Sequence, residues 1–379
     1  MPTSPAVFLI LGLLAFVGAN PLQPHGLTVS IAGPTAVTTI ADLELTAHVT
    51  NTGPQTVKIL KYSTILDDLP TRSFAVSKDN MDVEFLGIKA CEISWLADGV
   101  DAAFVTIGAG ETVAVQHKVA SLYDFSGAGT GSYTFTAIKS FQVVSENAGN
   151  IQVSAIPTFL PVEASSTSHS VHISGPLVDK RTLEKRVSFQ TCADPTKLAF
   201  MNAAYKDAND LAYFGLLYIL TYGGVTPEYL TYLEHTGDSA HVLDNESIWT
   251  RLFHDPIETS ITRTMSCTDD HGACGNGVIA YTWIATKNIY FCPLFFTEVP
   301  STTLCQGNDF SNRDIRGGTV LHELSHAMIG TMDYGYGCAF DTTLPDNRVS
   351  LNADNYNCFS TLIYQRYYCT RTGPFLGVA

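Results

Sequence analysis

The stretch HELSH, from His322 to His326, constrains this chain more than any other feature. An HExxH pattern puts His322 and His326 on one face of an α-helix, one turn apart, so both imidazoles can hold the same metal ion. Glu323 follows the first histidine, where its carboxylate reaches a water molecule at the metal. Gly330 closes the apolar run and predicts the end of the helix. The motif alone also fits a partly exposed helix with two incidental histidines.

A catalytic metal site built on two histidines needs a third protein ligand and one open position. Downstream of His326 the chain contains no histidine and no glutamate, which excludes hydrolases whose third ligand is a later residue of either type. The remaining oxygen ligands are Asp333, Asp341, Asp346 and Asp354. Asp333 is the nearest of them, just past the Gly330 turn, where the chain can double back under the metal.

Two further motifs follow the histidines. GTMDYGYG runs from Gly330 to Gly337, and NADNY runs from Asn352 to Tyr356. Together with HELSH they resemble the deuterolysin family, the aspzincins, which are secreted fungal zinc metalloendopeptidases made as preproenzymes. The family patterns are HExxH, GTxDxxYG and NADxY. The five fixed positions of the second pattern are all present here, at Gly330, Thr331, Asp333, Tyr336 and Gly337.

The resemblance extends over residues 187–379 and implies a role for each motif residue. It implies one Zn²⁺ per catalytic domain, held by His322, His326 and Asp333. Glu323 is then the general base, and Tyr336 is the second donor to the tetrahedral oxyanion.

Asp354 is a candidate substrate-binding residue that faces a basic side chain of the substrate, and a structural hydrogen bond is an equal alternative. The lysine-specific branch of the family has a second acid three residues later, where this chain has Asn357. A broader preference than strict lysine specificity is therefore expected.

The balance of charge limits the partners of the chain. It has 379 residues and a net charge of −15, so nucleic acid is excluded as an expected partner. An acidic surface favours basic protein or peptide substrates, although solubility explains the acidity equally well. The hydrophobic fraction of 45% and the charged fraction of 15% suit a secreted globular protein of two or three domains.

Residues 1–19 are predicted to be a secretory signal peptide. The segment from Val7 to Val17 is an apolar run of 11 residues, which is too short to span a bilayer. Val17, Gly18 and Ala19 supply the small residues expected before a cleavage point. An uncleaved anchor is the alternative. The expected location is therefore extracellular, without membrane association once the signal is removed.

The next part of the chain, residues 20–186, is predicted to be a β-rich propeptide. Alternating apolar residues from Leu27 to Ile31, Leu43 to Val49 and Tyr133 to Ala137 indicate short strands of a β-sandwich. The region carries one cysteine, Cys91. We interpret it as a buried core thiol, with capping of the zinc in a latent form as the alternative.

Residues 163–186 form a polar, serine-rich linker with two dibasic pairs, Lys180-Arg181 and Lys185-Arg186. An exposed basic pair in a secreted chain is a natural cleavage site, and a charged loop without processing is the alternative. The resemblance implies a kexin-type processing protease at this point and a bound propeptide as a partner. The catalytic domain is then residues 187–379.

Eight of the nine cysteines lie after Arg186, and an even set in a secreted domain predicts disulfides. The resemblance implies the pairs Cys192 with Cys267 and Cys274 with Cys292. Spacing alone does not assign the other four.

The fold expected overall is multi-domain: a sandwich-like propeptide precedes a mainly helical α+β metallopeptidase domain of the zincin type. The short strands Val278–Trp283 and Asn288–Cys292 provide an edge that could bind an extended substrate. The expected function is a secreted zinc-dependent endopeptidase. The alternative is a non-catalytic secreted β-sandwich binding protein with a structural zinc site. Glu323 argues against that alternative, because a structural site needs no base beside its first ligand.

Overall fold

The computed structural model describes residues 26–92, 100–145, 159–175, 177, 190–235, 245, 247–252, 263–275 and 277–371. The predicted signal segment, both dibasic pairs and the boundary at residue 187 lie outside the described residues. Those predictions are therefore untested by the structure.

The N-terminal part is built mainly from short strands, as the alternating pattern predicted, with one short α-helix and two 3₁₀ turns among its described residues. Its strands are β1 (Leu27–Ala32), β2 (Ala36–Val37), β3 (Glu44–Asn51), β4 (Val57–Leu60), β5 (Phe74–Lys78), β6 (Met81–Asp82), β7 (Ile88–Glu92), β8 (Phe104–Ile107), β9 (Thr112–Lys118), β10 (Gly131–Ala137), β11 (Ser140–Val144), β12 (Phe159–Glu163), β13 (Ser165–Ser166) and β14 (Ser168–Ile173). The turn α1 spans Phe125–Ala128.

Three sheets enclose the core of this part. Their strand orders are β13-β1-β3-β9, β2-β14-β10-β5-β6 and β12-β11-β4-β8. Leu45, Ala47 and Val49 of β3 are fully buried, while the residues between them are partly exposed. Each buried leucine or valine side chain stabilises the fold by roughly 1.5–3 kcal/mol relative to an exposed one.

The C-terminal part is mixed. Its strands are β15 (Gln190–Thr191), β16 (Met265–Ser266), β17 (Val278–Trp283) and β18 (Asn288–Phe291). Its α-helices include α2 (Pro195–Tyr222), α3 (Pro227–Tyr232), α4 (Arg316–Ile329), α5 (Cys338–Asp341), α6 (Asp346–Val349) and α7 (Ala353–Ile363). Short 3₁₀ turns span Ile40–Asp42, Val100–Ala103, Gly223–Val225, Pro293–Thr297, Ser301–Gln306 and Phe310–Asn312, and a π turn spans Tyr364–Tyr368.

Local sequence signals explain where the long helix α2 begins. Asp194 precedes it, and its carboxylate accepts hydrogen bonds from the backbone N–H groups of Thr196 at 2.8 Å and Lys197 at 3.2 Å. Pro195 occupies the first turn, where the missing N–H costs nothing. Helix α2 packs on α4 and α7, and their apolar faces form the main core of the C-terminal part.

Strand β7 joins the two parts of the chain. The C-terminal sheet has the order β15-β16-β18-β17-β7, so its outermost strand comes from the N-terminal part. Strand β7 runs antiparallel to β17, with Ala90 opposite Tyr281 and Lys89 opposite Thr282. The edge predicted to bind a substrate is therefore covered by another segment of the same chain.

A small apolar cluster adds to this junction. Tyr62 and Phe159 from the N-terminal part pack with Tyr336 and Phe340 from the C-terminal part. None of the helices in the described part of the chain is both long and apolar enough to cross a lipid bilayer.

All nine cysteines lie within the described residues. Eight form four disulfides, namely Cys192–Cys267, Cys274–Cys292, Cys305–Cys369 and Cys338–Cys358. The first two are the pairs implied by the family resemblance. Cys91 carries a free, buried thiol.

Candidate functional site

Helix α4 positions the two histidines. It ends at Ile329, and Gly330 follows in the left-handed conformation with φ 80°, as the sequence predicted. Val320, Leu321 and Leu324 bury one face of α4 in the main core, which fixes its rotation. His322 and His326 then face the same side, with their Nε2 atoms 3.1 Å apart.

The loop after Gly330 brings Asp333 back to this side of α4. The backbone N–H of Met332 donates to Leu351 O at 2.7 Å, and Ala353 N donates to Met332 O at 2.9 Å. The side chain of Asn352 accepts from Tyr334 N at 2.8 Å and donates to Gly335 O at 3.2 Å. The asparagine of the NADNY motif therefore fixes the loop that carries Asp333.

The Asp333 carboxylate meets both imidazoles. Its Oδ1 atom lies 3.1 Å from His322 Nε2 and 3.1 Å from His326 Nε2. All three side chains are at most 4% exposed. Among the described residues, Asp333 Oδ1 is one of the buried polar atoms that lack a hydrogen-bond partner, despite these short distances.

These three atoms fit a zinc ion. Nitrogen and oxygen ligands lie about 2.0–2.1 Å from zinc, so the ligand atoms of a tetrahedral site are about 3.3 Å apart. The observed separations of 3.1 Å are close to that value. An unpartnered carboxylate oxygen and two convergent imidazole nitrogens are also the donor types that zinc prefers.

Contacts behind the rings orient the histidines. His326 Nδ1 lies 2.9 Å from the carbonyl oxygen of Thr331, so an Nδ1–H donor leaves Nε2 with its lone pair for a metal. Burial lowers the pKa of His326 to about 4, which keeps the ring neutral. Burial also lowers the pKa of His322, but the nearby carboxylates of Asp333 and Asp354 outweigh it and raise that pKa to about 9.

Glu323 is buried beside the three candidate ligands. Its Oε2 accepts a hydrogen bond from Thr282 Oγ1 at 2.5 Å, and its Oε1 accepts one from the backbone N–H of Cys91 at 2.9 Å. Burial raises the pKa of Glu323 to about 7, against the lowering effect of His322. A carboxylate with such a pKa can accept and return a proton near neutral pH.

Tyr336 contacts the carbonyl group of the Ala90–Cys91 peptide bond, whose N–H group donates to Glu323. Its hydroxyl donates to the carbonyl oxygen of Ala90 at 2.7 Å and lies 2.9 Å from Ser63 Oγ. Gln142 holds the Tyr336 backbone through two hydrogen bonds of 3.0 Å. The residue that the resemblance assigned to an oxyanion therefore contacts a carbonyl oxygen here.

Asp354 is fully buried, and both of its oxygens have internal partners. Oδ1 accepts from Arg313 Nε at 2.8 Å, and Oδ2 accepts from Gly337 N at 2.8 Å. The substrate-binding role of Asp354 stays a prediction, and the basic groups that the carboxylate meets in this structure are Arg313 and, at 3.6 Å from Oδ1, His322 Nδ1.

Cys91 lies in the site and not in the core of the N-terminal part. It is buried, as expected for a core thiol, but its neighbours are Glu323 and Arg313. The predicted burial of the Cys91 thiol is confirmed, and the thiol lies in the site because strand β7 leaves the N-terminal sheets to pair with β17.

Two other groups of potential ligands occur among the described residues. Cys91, His322 and Glu323 form one, and Asp341, Asp354 and Cys358 form the other. The second is a poor metal site because Cys358 is in a disulfide and Asp354 is paired with Arg313. The first shares His322 with the triad of His322, His326 and Asp333.

Sequence reasoning missed two residues of this site, Thr282 and Arg313. Thr282 lies on a predicted strand, but alternation does not tell which element faces the strand. Arg313 follows a 3₁₀ turn in an irregular segment, where no period or motif marks it.

A family model and several individual proteins are similar to this chain. The model of the deuterolysin metalloprotease (M35) family matches residues 9–367. The chain is 27% identical to a peptidyl-Lys metalloendopeptidase of Grifola frondosa over 93% of this chain and 96% of the relative. It is 28% identical to a peptidyl-Lys metalloendopeptidase of Armillaria mellea over 88% and 91%.

A neutral protease 2 homolog of Pyricularia oryzae is 30% identical over 84% of this chain and 88% of the relative. A solved zinc peptidase from Grifola frondosa is 26% identical and covers 45% of this chain and 97% of its own, with a TM-score of 0.36. The family match spans nearly the whole chain. The chain therefore belongs to the deuterolysin metalloprotease family and is a zinc-dependent endopeptidase.

Proposed function

We propose that His322, His326 and Asp333 hold one Zn²⁺ and that Glu323 and Tyr336 carry out peptide hydrolysis beside it. The observation that carries this proposal is the mutual separation of 3.1 Å between the three donor atoms. When bound, the zinc supplies Lewis acidity, which polarises a carbonyl group and acidifies water.

The chain supplies the proton transfers. Glu323 accepts a proton from the attacking water and returns it to the leaving amine. The Tyr336 hydroxyl donates a hydrogen bond to the carbonyl oxygen as negative charge develops on it. The contacts of these two residues with Cys91 N and Ala90 O support the assignment, because they involve the two ends of one peptide bond.

We further propose that the protein is made as a precursor with a propeptide at residues 20–186 and a catalytic domain at residues 187–379. Strand β7 supports this, because it covers the candidate site from the N-terminal side. A kexin-type protease would cut after Arg186, at the second dibasic pair. The four disulfides support secretion, because such bonds persist in oxidising compartments.

The proposed substrates are proteins and peptides, with a preference for basic proteins. The net charge of the whole chain is −15, and residues 187–379 carry 10 Lys and Arg against 20 Asp and Glu, which gives −10. A surface of that sign attracts basic proteins over distances up to about 8–10 Å at physiological salt. Two relatives are named for peptidyl-Lys cleavage, which also supports basic substrates.

Cleavage of casein tests the function. The full-length chain is expressed in a secreting fungal host, and the secreted product is assayed with and without a chelator. We expect cleavage that the chelator abolishes, that zinc restores and that Glu323→Gln removes. Asp346→Asn, at an acid whose side chain is 58% exposed, is the matched control and keeps activity.

Two results would contradict parts of the proposal. Cleavage that survives both the chelator and Glu323→Gln contradicts the mechanism. N-terminal sequencing of the secreted product that finds an uncut chain contradicts the processing step.

A further inference from the structure

Strand β7 is bound in the manner of an extended substrate, given the proposed function. It pairs antiparallel with β17 beside the candidate metal ligands. The carbonyl oxygen of Ala90 accepts from Tyr336, and the N–H of Cys91 donates to Glu323. The Ala90–Cys91 peptide bond therefore lies between the two proposed catalytic groups. Ala90 marks the position before a cleaved bond, and Cys91 marks the position after it.

A charged residue of the C-terminal part contacts the side chain at that second position. Arg313 Nη2 lies 3.8 Å from Cys91 Sγ. Arg313 is 2% exposed and adopts a left-handed backbone conformation with φ 54°, which is uncommon for a residue other than glycine. Such conformations persist only where the surrounding structure fixes them, and they cluster at functional sites.

The guanidinium of Arg313 is held in place by Asp354. Nε donates to Asp354 Oδ1 at 2.8 Å, and Asp354 Oδ2 is occupied by Gly337 N at 2.8 Å. The carboxylate therefore has its own cation and both of its oxygens are used. A lysine or arginine side chain entering at the Cys91 position would meet the guanidinium of Arg313, while both oxygens of Asp354 are already hydrogen-bonded.

We propose that Arg313 determines specificity by excluding lysine and arginine from the position directly after the cleaved bond. Short uncharged side chains are accepted there. The proposal deepens the proposed function and rests on it. The proposal is compatible with basic protein substrates. The acidic surface of the enzyme attracts the substrate protein as a whole, whereas Arg313 selects which peptide bond of that substrate is cleaved.

The cleavage pattern of the secreted, zinc-loaded enzyme tests the proposal without any variant. The new N-termini of casein fragments are identified by mass spectrometry. A peptide series that differs only in the residue after the bond, with Ser, Ala, Glu, Lys or Arg, gives kcat/KM for each. We expect kcat/KM for Lys and Arg to be at least about 10-fold below Ser.

Equal or higher values for Lys and Arg overturn the inference while the proposed function stands. Absence of chelator-sensitive cleavage of any peptide overturns the proposed function, and the inference with it.

Variants separate a specificity role from a structural one. Arg313→Ala exposes the Asp354 carboxylate, and we expect the ratio of kcat/KM for Lys to that for Ser to rise by at least about 10-fold. Arg313→Lys keeps the charge and keeps the low ratio.

Arg313→Ala leaves a buried carboxylate unpaired and can fail to fold. The double variant Arg313→Ala with Asp354→Asn removes both charges, and we expect it to lose the discrimination against Lys without gaining a preference for it. An equal fall in kcat/KM for every peptide, with an unchanged ratio, assigns Arg313 a purely structural role and contradicts the proposal.

Discussion

The hydroxyl of Tyr336 donates a hydrogen bond of 2.7 Å to the carbonyl oxygen of Ala90. Ala90 belongs to strand β7 of the N-terminal part, and Tyr336 belongs to the loop that carries Asp333. The donor assigned to stabilise a reacting carbonyl group is thus already occupied by a peptide of the same chain. Under the proposed processing, the uncut chain therefore has no open site for a substrate at this point.

The first prediction concerns the occupation of the candidate site by strand β7. We expect that a precursor in which Lys180, Arg181, Lys185 and Arg186 are all replaced by serine stays uncut and cleaves casein only at a low residual rate. Addition of Lys89→Ala should raise its residual activity by about 10-fold or more, because the ammonium group donates charged hydrogen bonds to the loop that carries Asp333. Lys89 Nζ lies 3.1 Å from Gly330 O and 2.5 Å from Thr331 O.

Casein hydrolysis by purified, uncut precursor is the measurement. Lys118→Ala is the control, since the side chain of Lys118 is 82% exposed in another part of the β-region. Full activity in the uncut precursor would contradict the occupancy of the site by β7.

The second prediction concerns Tyr336. Tyr336→Phe keeps the ring and removes the hydroxyl, so the developing negative charge loses one donor. We expect kcat of the secreted enzyme to fall by about 10²–10³-fold with little change in KM, as for loss of one oxyanion donor. Tyr334→Phe, two residues away and only partly buried, is the control. Steady-state kinetics of the wild type and both variants on one peptide substrate measures the effect. A kcat of Tyr336→Phe equal to that of the wild type would contradict a catalytic role for Tyr336.

The third prediction concerns the acidic ligand. Asp333→Asn should weaken zinc binding by at least about 100-fold. Mutation of residues that only hydrogen-bond to a zinc ligand already lowers metal affinity by about 10–100-fold. Equilibrium dialysis of the full-length chain against zinc measures this without an activity assay. Asp346→Asn, at an exposed acid, should bind zinc as the wild type does. Equal zinc affinity in Asp333→Asn and the wild type would exclude Asp333 as a ligand.

The fourth prediction concerns the dependence of stability on pH. Burial raises the pKa of Glu298 to about 8, partly offset by the hydrogen bond from Thr319 Oγ1 at 2.8 Å. Because the pKa of Glu298 is higher in the folded state, the contribution of Glu298 to the free energy of unfolding is complete below about pH 4.5. This contribution is lost as pH rises through about 8.

Glu298→Gln keeps the shape and removes this titration. We expect the free energy of unfolding of the variant, relative to wild type, to rise by on the order of 4 kcal/mol between pH 5 and pH 9. Urea unfolding at several pH values measures the difference, and Glu44→Gln, at an acid whose side chain is 42% exposed, is the control. A difference that does not change with pH would show that Glu298 titrates normally.

The sequence predicted the local elements well, because their signals are local. Alternation marked β1, β3 and β10, and Gly330 marked the end of α4. The two histidines came from helical spacing, whereas the choice of Asp333 among four aspartates rested on the family motif. The pairing of β7 with β17 was not predicted, because strands far apart in sequence pair through tertiary contacts that no local pattern encodes.

The same limit applies to individual residues of the site. The role proposed for Arg313 depends on its contacts with Cys91 and Asp354, which lie far from it in sequence. The NADNY motif was recognised by resemblance, but its physical purpose became clear only from the hydrogen bonds of Asn352 to the loop that carries Asp333.

The central claim is that His322, His326 and Asp333 form one zinc site. The most direct measurement is anomalous X-ray scattering at the zinc edge from crystals of the full-length chain grown with zinc. We expect one peak within bonding distance of His322 Nε2, His326 Nε2 and Asp333 Oδ1. A peak at another cluster, or none beside these three atoms, would contradict the account.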